Sequence, residues 1–585
     1  MAYSSVAPGV GYKDPNDLND PVFTPEDSEF VAKTVAARLM ELGASLGTVR
    51  RLVESLASMS GVSAQSPVDA QTAALIAQLD SLTRQEIELL IQDAVAPTPV
   101  HISSFGAKGD GITDDTQALI AAAASGREVH FDAGQQYSFV GPITLSSGTR
   151  WITYGAQLYL TAPRDGANIQ IESGVFIDQL NVSFAGGDKD RGITIAGSDV
   201  EIGAMRLVAR TPSTVRNFRR RALNVGLEGT GCQNVRLGHV RTDGWIDAVA
   251  IWDSWDVSVE RLSMYGYVQG LLLRNSGRVT VHSGIAALPN EAMQTGNPGE
   301  NGVLIESFGD SESEAITISN FTTYHAGEHG FRVGGQVPVE NVHFENCRSR
   351  FSGSGKTVQH GGCGFKVLGA TTNQSSVARH ANVRFTNCIV EDVTPGMASH
   401  NFAGFNIGKS VHVVLDNCVV RAVTGASSAA YGVALIGSEN VSIVNCTFED
   451  TVGAALKMYD EADTAEYNWG APLTDIHVVG GAFRRCSAGV LIEGGGDTLR
   501  RFTTSGVTID GGAYAVSVAN AILNRCHFDF LASGITTATL SGCETAMVSG
   551  RGDLVGASPC RGGSTFHHYS EYLLKVYRSG GWTAI

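Results

Sequence analysis

Between Asp243 and Asp256 the chain places three of its six Trp and four Asp: Asp243, Trp245, Asp247, Trp252, Asp253, Trp255 and Asp256, with Tyr265 and Tyr267 close behind. Flat aromatic faces beside carboxylates suit a polymer of sugar rings, whose apolar faces stack on aromatics and whose hydroxyls bond to carboxylates. Asp243, Trp245, Trp252, Trp255 and Tyr265 are therefore expected to contact such a ligand, with core packing the competing role for the Trp. A second set emerges from register. Aligning the segments that begin with Gly places Glu300 over Glu328, each two residues before Gly302 and Gly330, and puts Asp247, Gln269, Asn301 and His329 in the next column. Carboxylates on adjacent rungs lie roughly 5 Å apart, the spacing of a retaining glycosidase, and near enough to raise one pKa. Glu300 and Glu328 are the expected acid/base and nucleophile, with His329 and Asp247 beside them. Elimination chemistry would instead take Tyr324, His325 or His329 as base, with Arg350 on the next coil neutralising a uronate. No cofactor or metal is expected. His567-His568 has no Cys or carboxylate partner at ligand spacing.

Such residues need a rigid, repeating scaffold, and residues 100–550 read as one. Segments of the form Asn/Asp-Val-x-apolar recur at Asp199, Asn234, Asp256, Asn341, Asn382 and Asn440. Between them lie segments opening on Gly or Ala, such as Gly270-Leu271-Leu272-Leu273, Gly330-Phe331-Arg332-Val333 and Gly404-Phe405-Asn406-Ile407. The shortest period is 22, from Val235 to Val257 to Val279. Short strands at solenoid periods with Gly-marked turns predict a mainly β fold, a right-handed parallel β-helix. In-register coils should stack like on like. Four positions past the first Val or Ile fall Asn320, Asn346, Asn387, Asn417 and Asn445, and one further on fall Phe321, Cys347, Cys388, Cys418 and Cys446. An asparagine ladder beside a buried thiol column is expected, so these Cys are core filler made in a reducing compartment. Eight positions on, Tyr324, Arg350, Glu391, Arg421, Glu449 and Arg484 alternate in charge, which predicts an ion-pair ladder or a merely solvated face.

The first 99 residues differ in grammar. They hold 5 Gly, no Cys, 6 basic and 13 acidic residues, whereas the remainder holds 64 Gly and all ten Cys. The Pro97-Thr98-Pro99 step is the expected linker. Val35, Leu39, Leu42, Leu46, Val49, Val53 and Leu56 repeat at alternating spacings of four and three, predicting a helix, and Asp69 to Ala94 a second; self-association and an intrachain hairpin are equally compatible. With 585 residues, 43% of them hydrophobic, intrinsic disorder is excluded. A net charge of −16 disfavours nucleic acid and anionic membrane surfaces. No apolar run reaches membrane-span length, so no membrane insertion is expected, and Met1 to Asp14 lacks a signal-peptide pattern, so export by that route is not expected.

From Ile102 the chain runs Ser103-Ser104-Phe105-Gly106-Ala107-Lys108-Gly109-Asp110-Gly111-Ile112-Thr113-Asp114-Asp115-Thr116-Gln117-Ala118-Leu119-Ile120. This stretch resembles the opening motif of pectate-lyase-like β-helix proteins, and of bacteriophage tailspikes in particular. Its glycines permit tight turns and Thr113 or Asp114 suits a helix cap, so Asp110, Asp114 and Asp115 are read as structural. The resemblance implies a virion tail protein assembled in the host cytoplasm. In it, residues 1–99 attach to tail or baseplate adaptor proteins, and residues 100–550 form a β-helix with an N-terminal helical cap. Three chains associate, and the β-helix binds and depolymerises a bacterial surface polysaccharide (capsule, exopolysaccharide or O-antigen). A non-cleaving receptor-binding spike and a non-phage polysaccharide-degrading enzyme stay open. His329-Gly330 also faintly resembles the Gly-His-Gly turn of polygalacturonases, but Glu328 replaces the first Gly and the paired-Asp and Arg-x-Lys partners are missing. Residues 551–585 depart from the repeat; Tyr569 to Tyr577 suits a last strand or helix, and a trimer clasp is one role for it.

Overall fold

The computed structural model describes residues 99–186, 191–212, 220–290, 299–309, 311–353, 362–368, 379–393, 402–424, 430–459, 473–493 and 498–510, followed by the backbone of seven strands ending at Ala584. Internal contacts divide the chain into Met1–Val95 and Ala96–Ile585. The helices expected before residue 99 lie outside the described residues.

Each coil crosses three parallel sheets in turn, called here A, B and C. One coil runs through Val339–Glu345 in A, Arg348–Arg350 in B and Cys363–Leu368 in C, and the next begins at His380–Thr386 in A. The 22-residue period is one such coil, since Val235 pairs with Val257 and Val257 with Val279. The interior is filled by the apolar residues of all three sheets. Phe331, Phe365 and Phe405 stack face to face through sheet C, with centroids 4.5 and 4.9 Å apart.

The corner between A and B shows why Asn recurs there. Asn320, Asn346, Asn387, Asn417 and Asn445 all adopt φ between 49° and 54°. This left-handed region is costly for most L-residues and is best tolerated by Gly, Asn and Asp. The amides also bond coil to coil: Asn346 Nδ2 donates to Asn320 Oδ1 (3.2 Å), Asn387 to Asn346 (3.1 Å) and Asn417 to Asn387 (2.7 Å). The Asn/Asp before each Val starts sheet A in the same conformation. Cys347, Cys388, Cys418 and Cys446 point inward, buried and unbridged. We expect Asn387→Ala to cost about 2 kcal/mol, combining left-handed strain with two lost bonds, and Asn387→Gly about half that. Denaturant midpoints of the two variants check the difference.

The charge ladder is formed as ion pairs on the outer face of sheet B. Arg350 Nε lies 3.1 Å and Arg421 Nη1 3.7 Å from Glu391, and Arg421 Nε lies 2.7 Å from Glu449. Arg348 also reaches Glu391, so three guanidiniums share one carboxylate.

The opening motif forms tight turns and a short helix at the start of the β-helix. Gly106, Gly109 and Gly111 have positive φ, and Asp115 accepts the Lys108 and Gly109 N–H groups at 2.7 and 3.1 Å. Asp114 accepts the Thr116 N–H at 3.0 Å, at the start of the helix Thr116–Ala123. That helix buries Ala118, Leu119, Ala122 and Ala123 in the main core. At the other end, parallel pairing continues through Thr565–His568, and Leu573–Arg578 is a strand paired antiparallel on both sides. Among the described residues no helix is long and apolar enough to cross a membrane.

Candidate functional site

The site is built on the outer face of sheet C. Its strands begin with a break in alternation: Ala248 and Val249 both face the core, as do their equivalents Gly330 and Phe331 on a later coil. A Cβ on Gly330 would sit 2.1 Å from Ser349 Oγ of sheet B, so this position tolerates only the smallest residues. The break turns the residue before it outward. Asp247 and His329 thus occupy equivalent outward positions, with Gln269 paired to Asp247 and the Gly270 and Gly302 N–H groups donating to the Asn301 and His329 carbonyls. The expected column of Asp247, Gln269, Asn301 and His329 is therefore formed. All four are buried.

At the N-terminal end of this face, Asp247 is fully buried, with Arg221 Nε 3.0 Å from its Oδ2 and with no partner for its Oδ1 among the described residues. The Trp252 ring lies between two guanidiniums, Arg221 at 4.7 Å and Arg274 at 4.4 Å from its centroid. Arg274 in turn pairs with Glu306. Burial pushes the Asp247 carboxyl up to about 7, against the downward pull of Arg221 and Arg274 and with a further upward push from Glu306. A carboxyl half protonated near neutral pH is suited to proton transfer.

Further along, the second cluster has different chemistry. The Glu328 N–H donates to the Glu300 carbonyl at 3.0 Å, so the two acids are on adjacent rungs as expected, and both are buried. Burial alone would raise the Glu328 carboxyl. His329, Arg332 and Lys366 outweigh burial and hold it below the usual carboxylate range. Arg332 Nη1 is 3.4 Å from Glu328 Oε1, and the Gly299 N–H donates to Oε2 at 3.1 Å. Glu328 is thus an ionised group at neutral pH, fit to be a nucleophile and unfit to be an acid. Burial lowers His329 to about 4, against the upward pull of Glu328. Its Nδ1 accepts the Cys363 N–H at 3.1 Å, which places the ring proton on Nε2, 3.1 Å from Glu328 Oε1. With its basic nitrogen already bonded to backbone, His329 cannot serve as a general base, and elimination through it is set aside.

The remaining expected residues are dispersed. Trp245 is a correction: it is 1% exposed and packs edge-on against Phe184 at 4.9 Å, so its ring fills the core and offers no sugar platform. Trp252 is buried between arginines as described. Trp255 is half-buried and borders a shallow groove of 560 Å³ with Asp253, Asn275, Ser311, Glu312 and Glu314. A Cβ on Gly277 would meet that ring at 2.0 Å, so the indole rests directly on backbone. Asp243 and Tyr265 pair on sheet B. Tyr324, His325 and Arg350 also lie at sheet B, away from the sheet C column: His325 stacks on Phe351 at 4.6 Å, and Arg350 is engaged by Glu391 and Asp392. Sequence reasoning missed Arg221, Arg274, Glu306 and Arg332. Running the register one coil back would have found Arg221, which pairs with Asp247 in sheet C. Among the described residues no cluster of three or more His, Cys, Asp or Glu is arranged to hold a metal ion.

The family model for a right handed beta helix region matches residues 247–464 and 357–528. The match spans residues 247–528, and the fold is that of a right-handed parallel β-helix. Solved structures similar to this β-helix include the pre-mature gene product 12 of bacteriophage phi29, at 15% identity, 86% coverage of this chain, 77% of that chain and a TM-score of 0.41. The A-module of the mannuronan C-5 epimerase AlgE4 of Azotobacter vinelandii is 14% identical over 72% of the β-helix chain and 98% of its own, with a TM-score of 0.40. Tailspike protein 3 of bacteriophage CBA120 is 12% identical over 84% and 70%, with a TM-score of 0.31.

Proposed function

We propose that this β-helix is a bacteriophage tailspike that binds a bacterial surface polysaccharide and depolymerises it on the outer face of sheet C. The observation that carries the catalytic part is Asp247: a buried carboxyl raised to about 7, with one oxygen on Arg221 and the other without a partner among the described residues. In this reading Asp247 donates its proton to the glycosidic oxygen as the bond breaks, Arg221 offsets the charge then left on its carboxylate, and water adds to the anomeric carbon and gives up the proton that restores the Asp247 carboxyl. The Trp255 groove, with Asp253, Glu312 and Glu314, supplies a neighbouring subsite for sugar rings. Substrate reaches the fully buried Asp247 only with local opening of that face. Glu300 and Glu328 form the alternative pair, with Glu328 as nucleophile. The virion location, the association of three chains and attachment through residues 1–99 belong to the same proposal and rest on the opening motif.

A second reading, a receptor-binding spike that does not cleave, is favoured by the complete burial of Asp247, Glu300 and Glu328. One experiment separates the two. The purified protein is incubated with surface polysaccharides from a panel of bacteria while reducing ends and the ultraviolet absorbance of unsaturated uronate are followed together. Reducing ends without absorbance are expected, as for hydrolysis. Absorbance would overturn the hydrolytic reading, since an unsaturated uronate forms only by elimination, and tight binding with neither signal would establish the non-cleaving spike.

A further inference from the structure

A second surface, on sheet B, carries a charge arrangement that the proposed chemistry does not use. On the coils beyond residue 340, each outward Arg of the ladder faces a Glu on the next rung, as Arg350 faces Glu391 and Arg421 faces Glu449. On the earlier coils the pattern is broken. Arg206 pairs directly with Arg241, and His239 pairs directly with Arg261, two residues away along the same strands. All four side chains are exposed and line one concavity of 270 Å³. Rungs are about 4.8 Å apart and positions two residues apart along a strand are about 7 Å apart, so three guanidiniums and an imidazole crowd one small patch. Among the described residues Arg206 and Arg261 make no ion pair, and Arg241 has only Asp243, at 3.8 Å. Like charges directly opposite on neighbouring strands repel. A chain with 58 acidic and 42 basic residues has ample acid to interleave, as the later ladder shows, and does not place it here.

The patch also has an aromatic border. The Arg241 guanidinium lies over the Tyr265 ring at 4.9 Å, leaving a flat tyrosine beside the cations. Planar guanidinium forks fit carboxylate and sulfate oxygens, and an adjacent aromatic fits the face of a sugar ring.

We propose that this sheet B surface is a binding site, separate from the sheet C column, for an anionic saccharide, one bearing carboxylate or sulfate groups spaced along the polymer. Arg206, Arg241 and Arg261 bind the acidic groups, and Tyr265 supports a ring between them. This rests on the reading that the β-helix handles polysaccharide, and it assigns that polysaccharide a negative charge. Binding here would hold the polymer along the spike without contact with the site of cleavage.

The test is affinity electrophoresis of the full chain in native gels containing polygalacturonate, with neutral dextran as control. The parent protein is expected to be retarded by polygalacturonate and not by dextran. Replacing Arg206, Arg241 and Arg261 together by Gln should raise the apparent Kd at least about tenfold, and raising salt from about 50 to about 200 mM should weaken the parent more than the variant. The double variant Arg206→Gln with Arg261→Gln, which leaves the Arg241–Asp243 contact intact, guards against misfolding and should show an intermediate loss. Unchanged retardation of the triple variant would overturn the proposal, as would equally strong retardation of the parent by polyphosphate. Failure of this site is distinguishable from failure of the cleavage reading. Loss of retardation in the triple variant without cleavage of any polysaccharide leaves the anion site standing alone. Cleavage with parent-like retardation of the triple variant leaves the sheet C reading standing alone.

Discussion

Asp247→Asn is expected to lower polysaccharide turnover by about 10²–10⁴-fold, the usual contribution of one positioned acid, while leaving polymer binding in place. Glu300→Gln and Glu328→Gln should have smaller effects; a reversed order would transfer the chemistry to that pair. The same residue predicts a pH signature independent of activity. Its carboxyl titrates near 7 when folded against an ordinary 3.8, so at pH 5 the unfolded chain has released a proton that the folded chain retains. The unfolded state then binds fewer protons, and stability falls as pH rises. This part of the stability is complete below about pH 4 and is lost by about pH 7, amounting to about 4 kcal/mol as an order of magnitude. Asn does not titrate, so the parent minus variant difference in unfolding free energy should shrink by that order between pH 4 and pH 7. Parallel stability curves would show that Asp247 is not the raised carboxyl. Activity of the parent should decline above pH 7 as the donor proton is lost.

Phe365→Ala should cost about 3–5 kcal/mol, the range for truncating a fully enclosed aromatic. Phe365 is 1% exposed, stacked between Phe331 and Phe405 and edge-on to Phe344 at 5.7 Å and Phe385 at 5.3 Å. Because a solenoid's coils are stabilised mainly by their neighbours, the loss weakens both interfaces of one coil at once. Phe365→Leu, which keeps most of the volume, should recover more than half of it. Equilibrium denaturation of the three proteins measures this, and a cost below about 1 kcal/mol for Phe365→Ala would mean that the rings are not closely packed there. The change also bears on the site, since the same strand carries the Cys363 N–H that holds His329 Nδ1.

The β-helix was legible because a coil stacks each residue on its counterpart one repeat away, so a column in space is a column in an alignment. Asn387 on Asn346, the buried Cys388 and Cys418, the Arg421–Glu449 pair and the outward Asp247–His329 column all follow from that rule. It needs only the period and the preference of Asn for left-handed backbone. The individual side chains' surroundings do not follow from it. Trp245, Trp252 and Trp255 read alike in sequence, yet they lie in the core, between two arginines and at a groove, because one falls in the turn before sheet C, one at the end of a sheet C strand and one at the start of the following sheet A strand. Asp247 and Glu328 are both acids at strand starts, yet one is raised and the other held down. Burial outweighs a single close Arg221 in the first case, and Arg332, Lys366 and the adjoining His329 ring together outweigh burial in the second. His329 loses its role as a base to the Cys363 N–H, which only the next coil brings to it. Sequence alone therefore carries the order of the coils, since stacking repeats is local arithmetic; protonation and access depend on how deeply each group is enclosed and on which charges fold against it, and these belong to the tertiary structure.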